Sequence, residues 1–374
     1  MPNRRFLLLV AAVTLPALAC GPVAATGGDE ASIIATRVAG TFAALLTDTP
    51  EATVSPLPPP VATPLPARLW KAYISGGPTG WWLEDGTASE ITLPVEPGQY
   101  YDYSAANGKI LYASHFASSG AGPGNLAVSD LWMVDYPSGT PEALIPSDTV
   151  VEAMWAPNGV GLAYILATPA TYELRYRSLA GDDRLLASNV SPTWSVSPSG
   201  SLVAFTRETG YDVPGAPGLF VVSIAGGPET QVSDADRHGA GSIEDQPEWS
   251  YDDGHLALSN WGFAPGELVI AASDGSSSGP VVAEESLSVD PILGSAPTVA
   301  IWHLDGRHLV GFANYAETMG GPSPLVLYEL DDTLHTITGG VVLANGYSLV
   351  EWNVPGESIF IVDESNQVVL IPLP

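Results

Sequence analysis

The chain has very little cysteine, lysine and positive charge, and each shortage excludes a class of protein. Cys20 is the only cysteine among 374 residues, which excludes an intramolecular disulfide and a thiolate zinc cluster. Lysine and arginine together number 12 against 41 acidic residues, giving a formal net charge of −29. Because this charge repels phosphate backbones and no basic cluster interrupts it, we expect no nucleic-acid partner. Charged residues make up only 14% of the chain, which argues against long salt-bridged helices.

Turn-forming residues are abundant instead. The chain has 39 glycines and 34 prolines, and 45% of its residues are hydrophobic. A Gly and Pro share of about a fifth stays below the ~25–30% that marks low-complexity chains. The composition therefore predicts a folded protein that is rich in turns.

The first 19 residues have the pattern of an export signal. Arg4 and Arg5 precede an apolar run from Phe6 to Leu15, which is shorter than the ~20 residues that span a bilayer. The segment ends in Ala19-Cys20 and resembles a bacterial lipoprotein signal, which implies that Cys20 is lipidated and becomes the mature N-terminus. Ala17-Leu18-Ala19 also fits ordinary secretory cleavage, so secretion is the alternative. Removal of residues 1–19 takes away two arginines and leaves a net charge of −31.

Residues 20–66 are predicted to be a tether. The segment is rich in Ala and Thr, and seven prolines lie between Pro50 and Pro66. A proline-rich segment is stiff and extended at ~3.1 Å per residue. We expect a stalk that holds a folded domain, residues 67–374, away from a membrane.

A pattern repeats six times in residues 67–374. An aromatic residue is followed by a short polar turn, a glycine and a hydrophobic strand, and the first copy has Tyr103 and Gly108. The aromatic residues of the other copies are Trp155, Trp194, Trp249, Trp302 and Trp352, and their glycines are Gly159, Gly200, Gly254, Gly306 and Gly356. Successive glycines are 41 to 54 residues apart. The first five copies each continue with two more apolar strands, and four-stranded antiparallel units that repeat in this way are typical of a β-propeller. We expect the tryptophans to pack between adjacent blades.

The repeat resembles a known family. A turn such as Ser197-Pro198-Ser199-Gly200, the strands Leu202–Phe205 and Leu219–Val222, and the turn Ala225-Gly226-Gly227 are similar to the TolB-like, WD40-like (PD40-type) propeller repeat. The likeness covers residues 67–374 and implies an all-β propeller of four-stranded antiparallel blades. It does not imply one activity, because propellers host many.

The number of blades follows from the number of strands. Five units are complete, and three strands lie at each end of the domain, so the chain has about 26 strands. Six blades need about 24 strands and seven need about 28. We predict seven blades, with six as the alternative.

The longest insertions fall on one face of the predicted propeller. If the strands of a blade are named A to D in chain order, these insertions are all B–C or D–A connections. Variable loops on a rigid scaffold commonly form binding sites. The candidate binding residues of this face are Phe116, Arg207, Tyr211, Asp236, His238, Trp261 and Tyr315. Aromatic and polar groups together suit a peptide or glycan. The alternative is that the aromatic residues only pack loops against the rim.

Sequence patterns give no support for a metal or a cofactor. The densest cluster of oxygen and imidazole groups is Asp234, Asp236, His238, Glu244 and Asp245. Its spacing does not match an EF-hand loop, and we interpret it as a solvated acidic loop. We predict no metal site, no cofactor and no catalytic residue.

These patterns favour an exported, lipid-anchored propeller that acts without catalysis. We expect a monomer at the bacterial cell envelope that binds a protein, peptide or glycan. The alternative is a carbohydrate-active enzyme, a polysaccharide lyase or hydrolase, since propellers similar to this one include lyases. Such an enzyme needs a base beside a charge stabiliser, so His238 or His115 would have to meet Arg207 or Arg237. A purely structural envelope component is the third hypothesis.

Overall fold

The computed structural model describes residues 68–74, 77–84, 86–91, 100–117, 127–207, 217–234, 246–260, 267–288, 290, 292–294, 296–297, 300–313, 323–363, 365 and 367–374. The predicted export signal, Cys20 and the tether lie outside these ranges. Within them the regular elements are strands, so the described part of the chain is all-β.

The described strands form groups of three or four that follow one another along the chain. Apart from one two-residue strand, residues 282–283, which pairs in parallel, the strands pair mainly with their antiparallel neighbours in sequence. Units 1 to 3 contain β1 (Arg68–Ile74), β2 (Gly77–Glu84), β3 (Thr87–Ile91), β4 (Tyr100–Ser104), β5 (Lys109–Tyr112), β6 (Phe116–Ala117), β7 (Val128–Asp135), β8 (Glu142–Trp155), β9 (Gly161–Ala167), β10 (Tyr172–Ser178) and β11 (Asp183–Ser188). Units 4 and 5 contain β12 (Trp194–Val196), β13 (Leu202–Arg207), β14 (Gly218–Ser223), β15 (Thr230–Ser233), β16 (Glu248–Trp249), β17 (His255–Asn260), β18 (Glu267–Ala272) and β19 (Ser278–Pro280). The short strand β20 (Val282–Ala283) follows and pairs with the sheet of unit 6. Units 6 and 7 contain β21 (Ala300–Trp302), β22 (His308–Phe312), β23 (Ser323–Leu330), β24 (Thr336–Val354), β25 (Ser358–Asp363) and β26 (Val368–Pro372).

Two long strands each serve two units. The first part of β8 pairs with β7 as strand D of unit 2, and Val150–Trp155 pairs with β9 as strand A of unit 3. Strand β24 links units 6 and 7 in the same way. Pro146 lies in the junction within β8, between the paired residues Ile145 and Val150, where a missing amide hydrogen removes no ladder bond.

The first and last units pack against each other. Trp81 and Leu83 of unit 1 share a buried cluster with Phe360, Val362 and Val368 of unit 7. This contact brings together residues that are more than 270 positions apart and closes the series of units into a ring. The predicted β-propeller of four-stranded antiparallel units is confirmed. Units 2 to 6 have four main strands each, while units 1 and 7 have three each among the described residues. Seven blades against six stays a prediction.

The repeated tryptophans are buried between units. Trp194 is fully buried and Trp302 is 1% exposed, and Trp155, Trp249 and Trp352 are buried too. Trp194 lies in one cluster with residues of unit 3, such as Ile165, and of its own unit, such as Phe205. Trp302 likewise joins Ile270 of unit 5 to its own unit. Each indole therefore removes apolar surface of two units from water at once.

The A–B turns repeat one backbone conformation. Gly108, Gly159, Gly200 and Gly306 have φ between 68° and 69°, and Gly356 has φ 79°, a left-handed region that glycine enters without steric cost. In unit 5 the residue with this conformation is not the repeat glycine, Gly254, but the residue before it. Asp253 has φ 58° and donates its N–H to the Ser250 carbonyl, as Gly159 does to Ala156. Aspartate tolerates this conformation better than most residues.

Turns of neighbouring units bond to one another. The Asn107 side chain donates to the Gly159 carbonyl at 2.8 Å, and the Gly86 N–H donates to Asn353 Oδ1 at 2.8 Å. Ser197 Oγ lies 3.1 Å from a carboxylate oxygen of Asp253. The start of each C–D turn also bonds to the A–B turn, as in Leu179 N–H to the Val160 carbonyl at 3.0 Å. A–B and C–D turns thus form one face, called the turn face here. The B–C and D–A connections form the opposite loop face.

Candidate binding face

Two of the seven predicted binding residues lie within the described ranges, and both are on the loop face. Phe116 and Arg207 are described there, at the ends of B strands or just after them. The other five, Tyr211, Asp236, His238, Trp261 and Tyr315, lie outside the described residues.

Phe116 is an exposed aromatic side chain on a short strand. Strand β6 pairs with β7, with Phe116 opposite Ser129, and the Phe116 side chain is 43% exposed. Its ring meets Tyr101 edge to face, with centroids 6.2 Å apart. Tyr101 is itself held by a 2.7 Å hydrogen bond between its hydroxyl and Ser129 Oγ. Phe116 therefore presents an apolar surface on a support that is fixed by backbone pairing and a second ring.

Asp130 is a buried carboxylate beside this aromatic pair. It accepts hydrogen bonds from the Ser114 N–H at 2.8 Å, from Ser114 Oγ at 2.5 Å and from Trp132 Nε1 at 2.6 Å. Burial opposes ionisation of Asp130, but the bonds from Ser114 and Trp132 outweigh it and lower the pKa of Asp130. The face therefore contains a fixed negative charge at neutral pH.

His115 lies between two carboxylates. Its Nε2 is 3.1 Å from Asp148 Oδ1, and its Nδ1 is 3.8 Å from Asp130 Oδ2. Its side chain is 55% exposed, so it faces solvent. Nδ1 is also 3.0 Å from Ser114 Oγ.

Ser114, His115 and Asp148 have the order of a Ser-His-Asp relay, but their hydrogen bonds run the wrong way. A catalytic serine passes its proton to the histidine. The Ser114 hydroxyl instead donates to Asp130, at the shorter distance of 2.5 Å. The Ser114 hydroxyl is therefore a hydrogen-bond donor to Asp130, and this bond does not activate it for nucleophilic attack.

A second carboxylate, Glu152, lies deeper below the loop face and connects units 3, 4 and 5. It is 8% exposed and accepts from Trp194 Nε1 at 2.7 Å and from Gln246 Nε2 at 3.0 Å. Burial, with Glu152 and Asp130 nearby, raises the pKa of the Tyr101 hydroxyl despite its bond to Ser129. Tyr101 stays neutral at any physiological pH. The described part of this face is thus rich in carboxylate oxygens.

The Arg207 side chain is held by hydrogen bonds within the fold. Its two terminal nitrogens each lie 2.8 Å from one carboxylate oxygen of Glu229, and it also donates to the carbonyls of Ser188 at 3.0 Å and Asn189 at 3.1 Å. The guanidinium carbon is 4.4 Å from the centroid of the Phe220 ring. Since only 13% of the side chain is exposed, we assign Arg207 to clamping the end of unit 3 onto unit 4.

The pairs that the enzyme hypothesis needs are only partly described. His115 contacts Asp148 and Ser114, whereas Arg207 contacts Glu229 and two carbonyls. His238 and Arg237 lie outside the described residues. The important groups that the sequence did not single out are Ser114, Asp130, Trp132 and Glu152. Only the acidic Asp130 at the start of an apolar strand gave a local signal.

Three potential metal ligands lie together on the turn face. One ligand atom each of His303, Asp305 and His308 lies within 4.8 Å of the others. Burial opposes the ionised form of Asp305, but the backbone N–H of Arg307 and the two histidine rings lower its pKa to about 2. Among the described residues there is no helix long and apolar enough to cross a membrane.

Comparison with known proteins finds similarity at the level of structure. No family model and no curated protein matches the chain. Solved structures that are similar include TolB from Acinetobacter baumannii, with 13% identity, a TM-score of 0.41 and coverage of 71% of this chain. They also include the tricorn protease, with 13% identity, a TM-score of 0.49 and coverage of 84% of this chain. A 6-phosphogluconolactonase homologue from Bacteroides uniformis has 13% identity and a TM-score of 0.48, with coverage of 82% of this chain and 92% of its own. The chain spans 61% of the length of TolB and 33% of that of the tricorn protease. By its own sheet order the chain is an all-β propeller, and TolB is among the structures to which it is similar.

Proposed function

We propose that this chain is an exported, lipid-anchored propeller that binds a protein, peptide or glycan through its loop face and performs no catalysis. The observation that carries the proposal is the group formed by exposed Phe116, the hydrogen-bonded carboxylate of Asp130 and the exposed carboxylate of Asp148 around His115. An apolar platform beside oriented hydrogen-bond acceptors is the composition of a recognition surface.

The chemistry of this group selects the kind of partner. The Asp148 carboxylate, 44% exposed, supplies acceptors to a partner, buried Asp130 adds a negative charge beneath the surface, and the chain as a whole carries a net charge of −29. A partner that presents lysine or arginine side chains, or the hydroxyl groups of a sugar, satisfies these acceptors. Charge complementarity of this kind also speeds association at low salt. An anionic partner is disfavoured for the same reason.

The absence of catalysis rests on how the polar groups are used. Ser114 donates to Asp130, and Arg207 is bound to Glu229 and two carbonyls. An enzyme would need such groups to reach a substrate during the reaction. Release of unsaturated or shortened oligosaccharide from envelope glycans by the purified chain would contradict this part of the proposal.

The binding part is tested by co-purification from native membranes, with mass spectrometry of bound proteins and glycans. Phe116→Ala should lower recovery of the partner about tenfold or more, because exposed aromatic anchors carry much of the binding energy. Val160→Ala is the matched control, since Val160 is an exposed apolar residue (58%) on the turn face. Equal loss with both variants, or with Val160→Ala alone, would contradict the assignment of the face.

The proposed lipid anchoring at Cys20 is tested separately. Metabolic labelling with a fatty-acid analogue should mark the wild type but not Cys20→Ser, and the variant should leave the membrane fraction. Labelling that persists in Cys20→Ser, or an unlabelled wild type in the medium, would exclude lipid anchoring at this residue.

A further inference from the structure

We propose that His303, Asp305 and His308 form a binding site for a divalent transition-metal ion of the zinc, cobalt and nickel class. The three residues surround the A–B turn of unit 6, on the opposite face from the proposed binding surface. Each is only partly exposed, with 18%, 39% and 31% of the side chains accessible, respectively. The site is independent of the proposed function.

The spacing of the ligand atoms fits a small metal ion. His303 Nδ1 is 3.0 Å from Asp305 Oδ1, and His308 Nδ1 is 2.6 Å from Asp305 Oδ2. A tetrahedral zinc ion with bonds of about 2.0–2.1 Å holds its ligand atoms about 3.3 Å apart. Side-chain movements of less than about 1 Å, well within rotamer freedom, therefore open the cluster around an ion.

The tautomer of His303 is set from outside the cluster. His303 Nε2 lies 3.0 Å from the Gly356 carbonyl oxygen, in the turn of unit 7. A carbonyl oxygen only accepts, so Nε2 carries a hydrogen, and in the neutral ring Nδ1 keeps its lone pair. That lone pair accepts a long hydrogen bond of 3.3 Å from the Asp305 backbone N–H, which a metal ion would have to displace, and lies 3.0 Å from Asp305 Oδ1. Ligating histidines characteristically donate their other ring N–H to a carbonyl or carboxylate in this manner.

The carboxylate of Asp305 is oriented by the backbone. Oδ1 accepts the N–H of Arg307 at 2.8 Å and that of His308 at 3.1 Å. Oδ2 is directed at His308 Nδ1. The turn therefore fixes the acid between the two imidazoles before any ion arrives, which lowers the entropic cost of binding.

The donor set decides the class of ion. Two imidazole nitrogens and one carboxylate oxygen suit zinc, cobalt and nickel, whereas calcium and magnesium prefer oxygen ligands. Three protein ligands leave one tetrahedral position for water. The competing explanation is that shared protons alone hold the two histidines against Asp305, with no affinity for metal.

The test uses the mature chain, residues 20–374, with Cys20→Ser and without an affinity tag, because the Cys20 thiol would itself bind metal. Isothermal titration with zinc, and cobalt absorption spectroscopy, should show one ion per chain in the parent. His303→Ala and His308→Ala should each weaken affinity by about tenfold or more. His255→Gln is the matched control, since His255 also lies beside an A–B turn but outside the cluster, and should bind like the parent.

A stability measurement separates loss of binding from loss of folding. An ion that binds only the native state raises Tm, so zinc should raise Tm in the parent and in His255→Gln but not in His308→Ala. Circular dichroism without metal should be the same for all variants. A parent that takes up no zinc, or a His303→Ala, His308→Ala double variant that binds as tightly as the parent, would overturn the proposal.

Discussion

The turn face and the loop face are built from the same strands, yet their residues are used in opposite ways. The turn face repeats one conformation, with glycines at φ near 68° and bonds that join one turn to the next. The loop face differs from unit to unit, and its polar groups make local networks such as Ser114, Asp130 and Trp132. Repetition maintains the ring, and variation gives the loop face the side chains on which the proposed binding depends.

The largest effect on stability is expected at Trp194, whose side chain packs between two units. Trp194→Ala should lower the free energy of unfolding by about 3–5 kcal/mol, because it leaves a cavity between units 3 and 4 and removes a hydrogen bond to buried Glu152. Chemical denaturation measures it. Trp194→Phe should lower the free energy of unfolding by less than half as much as Trp194→Ala. A change below about 1 kcal/mol for Trp194→Ala would show that the units do not share this core.

Arg207 tests whether the loop face uses its arginine for structure. Arg207→Ala should cost about 2 kcal/mol of stability, since it removes bonds to Glu229 and two carbonyls. Arg207→Lys should cost about half as much, because lysine cannot bridge both carboxylate oxygens. At a temperature where the variants are folded, recovery of the partner should match the wild type. If Arg207→Ala lost partner binding while its stability was unchanged, Arg207 would be a binding residue and its structural assignment would be wrong.

Asp130 should make the stability of the loop face depend on acid pH. Its pKa is lowered in the folded state from 3.8, so its contribution is complete above that value and is lost as pH falls through the lower folded value. Asp130→Asn should therefore cost about 1–2 kcal/mol near pH 7 and less at about pH 3. Urea unfolding at both pH values measures the difference. An equal cost at both would contradict the charged state assigned to Asp130.

The smallest effect concerns the turn conformation. At Gly108 an added Cβ meets no atom within 4 Å, so Gly108→Ala should cost only the strain of φ 68°, about 1 kcal/mol. Gly108→Asn should cost less than Gly108→Ala, because short polar side chains tolerate this region, as Asp253 does in unit 5. Thermal unfolding compares them. Asparagine proving worse than alanine would contradict the equivalence of Gly108 and Asp253.

The sequence predicted the features that repeat, because each copy supports the others. The aromatic residue, the turn and the strand after it recur in six copies, and they specify the units and the three-stranded ends. The shift from Gly254 to Asp253 was missed because aspartate is not a usual marker of a left-handed turn. The pairing of Arg207 with Glu229, 22 residues away, depends on how the strands of unit 4 come together, and that of Glu152 with Gln246, 94 residues away, depends on how the units pack. The local sequence records neither. The cluster of His303, Asp305 and His308 was not predicted because its geometry depends on the fold of the A–B turn and on the Gly356 carbonyl of the next unit, which orients His303.

The central claim is that recognition occurs on the loop face. Site-specific incorporation of a photo-crosslinking amino acid at Phe116 and, in a separate chain, at Val160 tests this most directly in intact cells. Irradiation should yield a discrete crosslinked species from position 116 and none from position 160, with the species lost when Asp148→Asn is added. A discrete species from position 160 with none from position 116 would contradict the account.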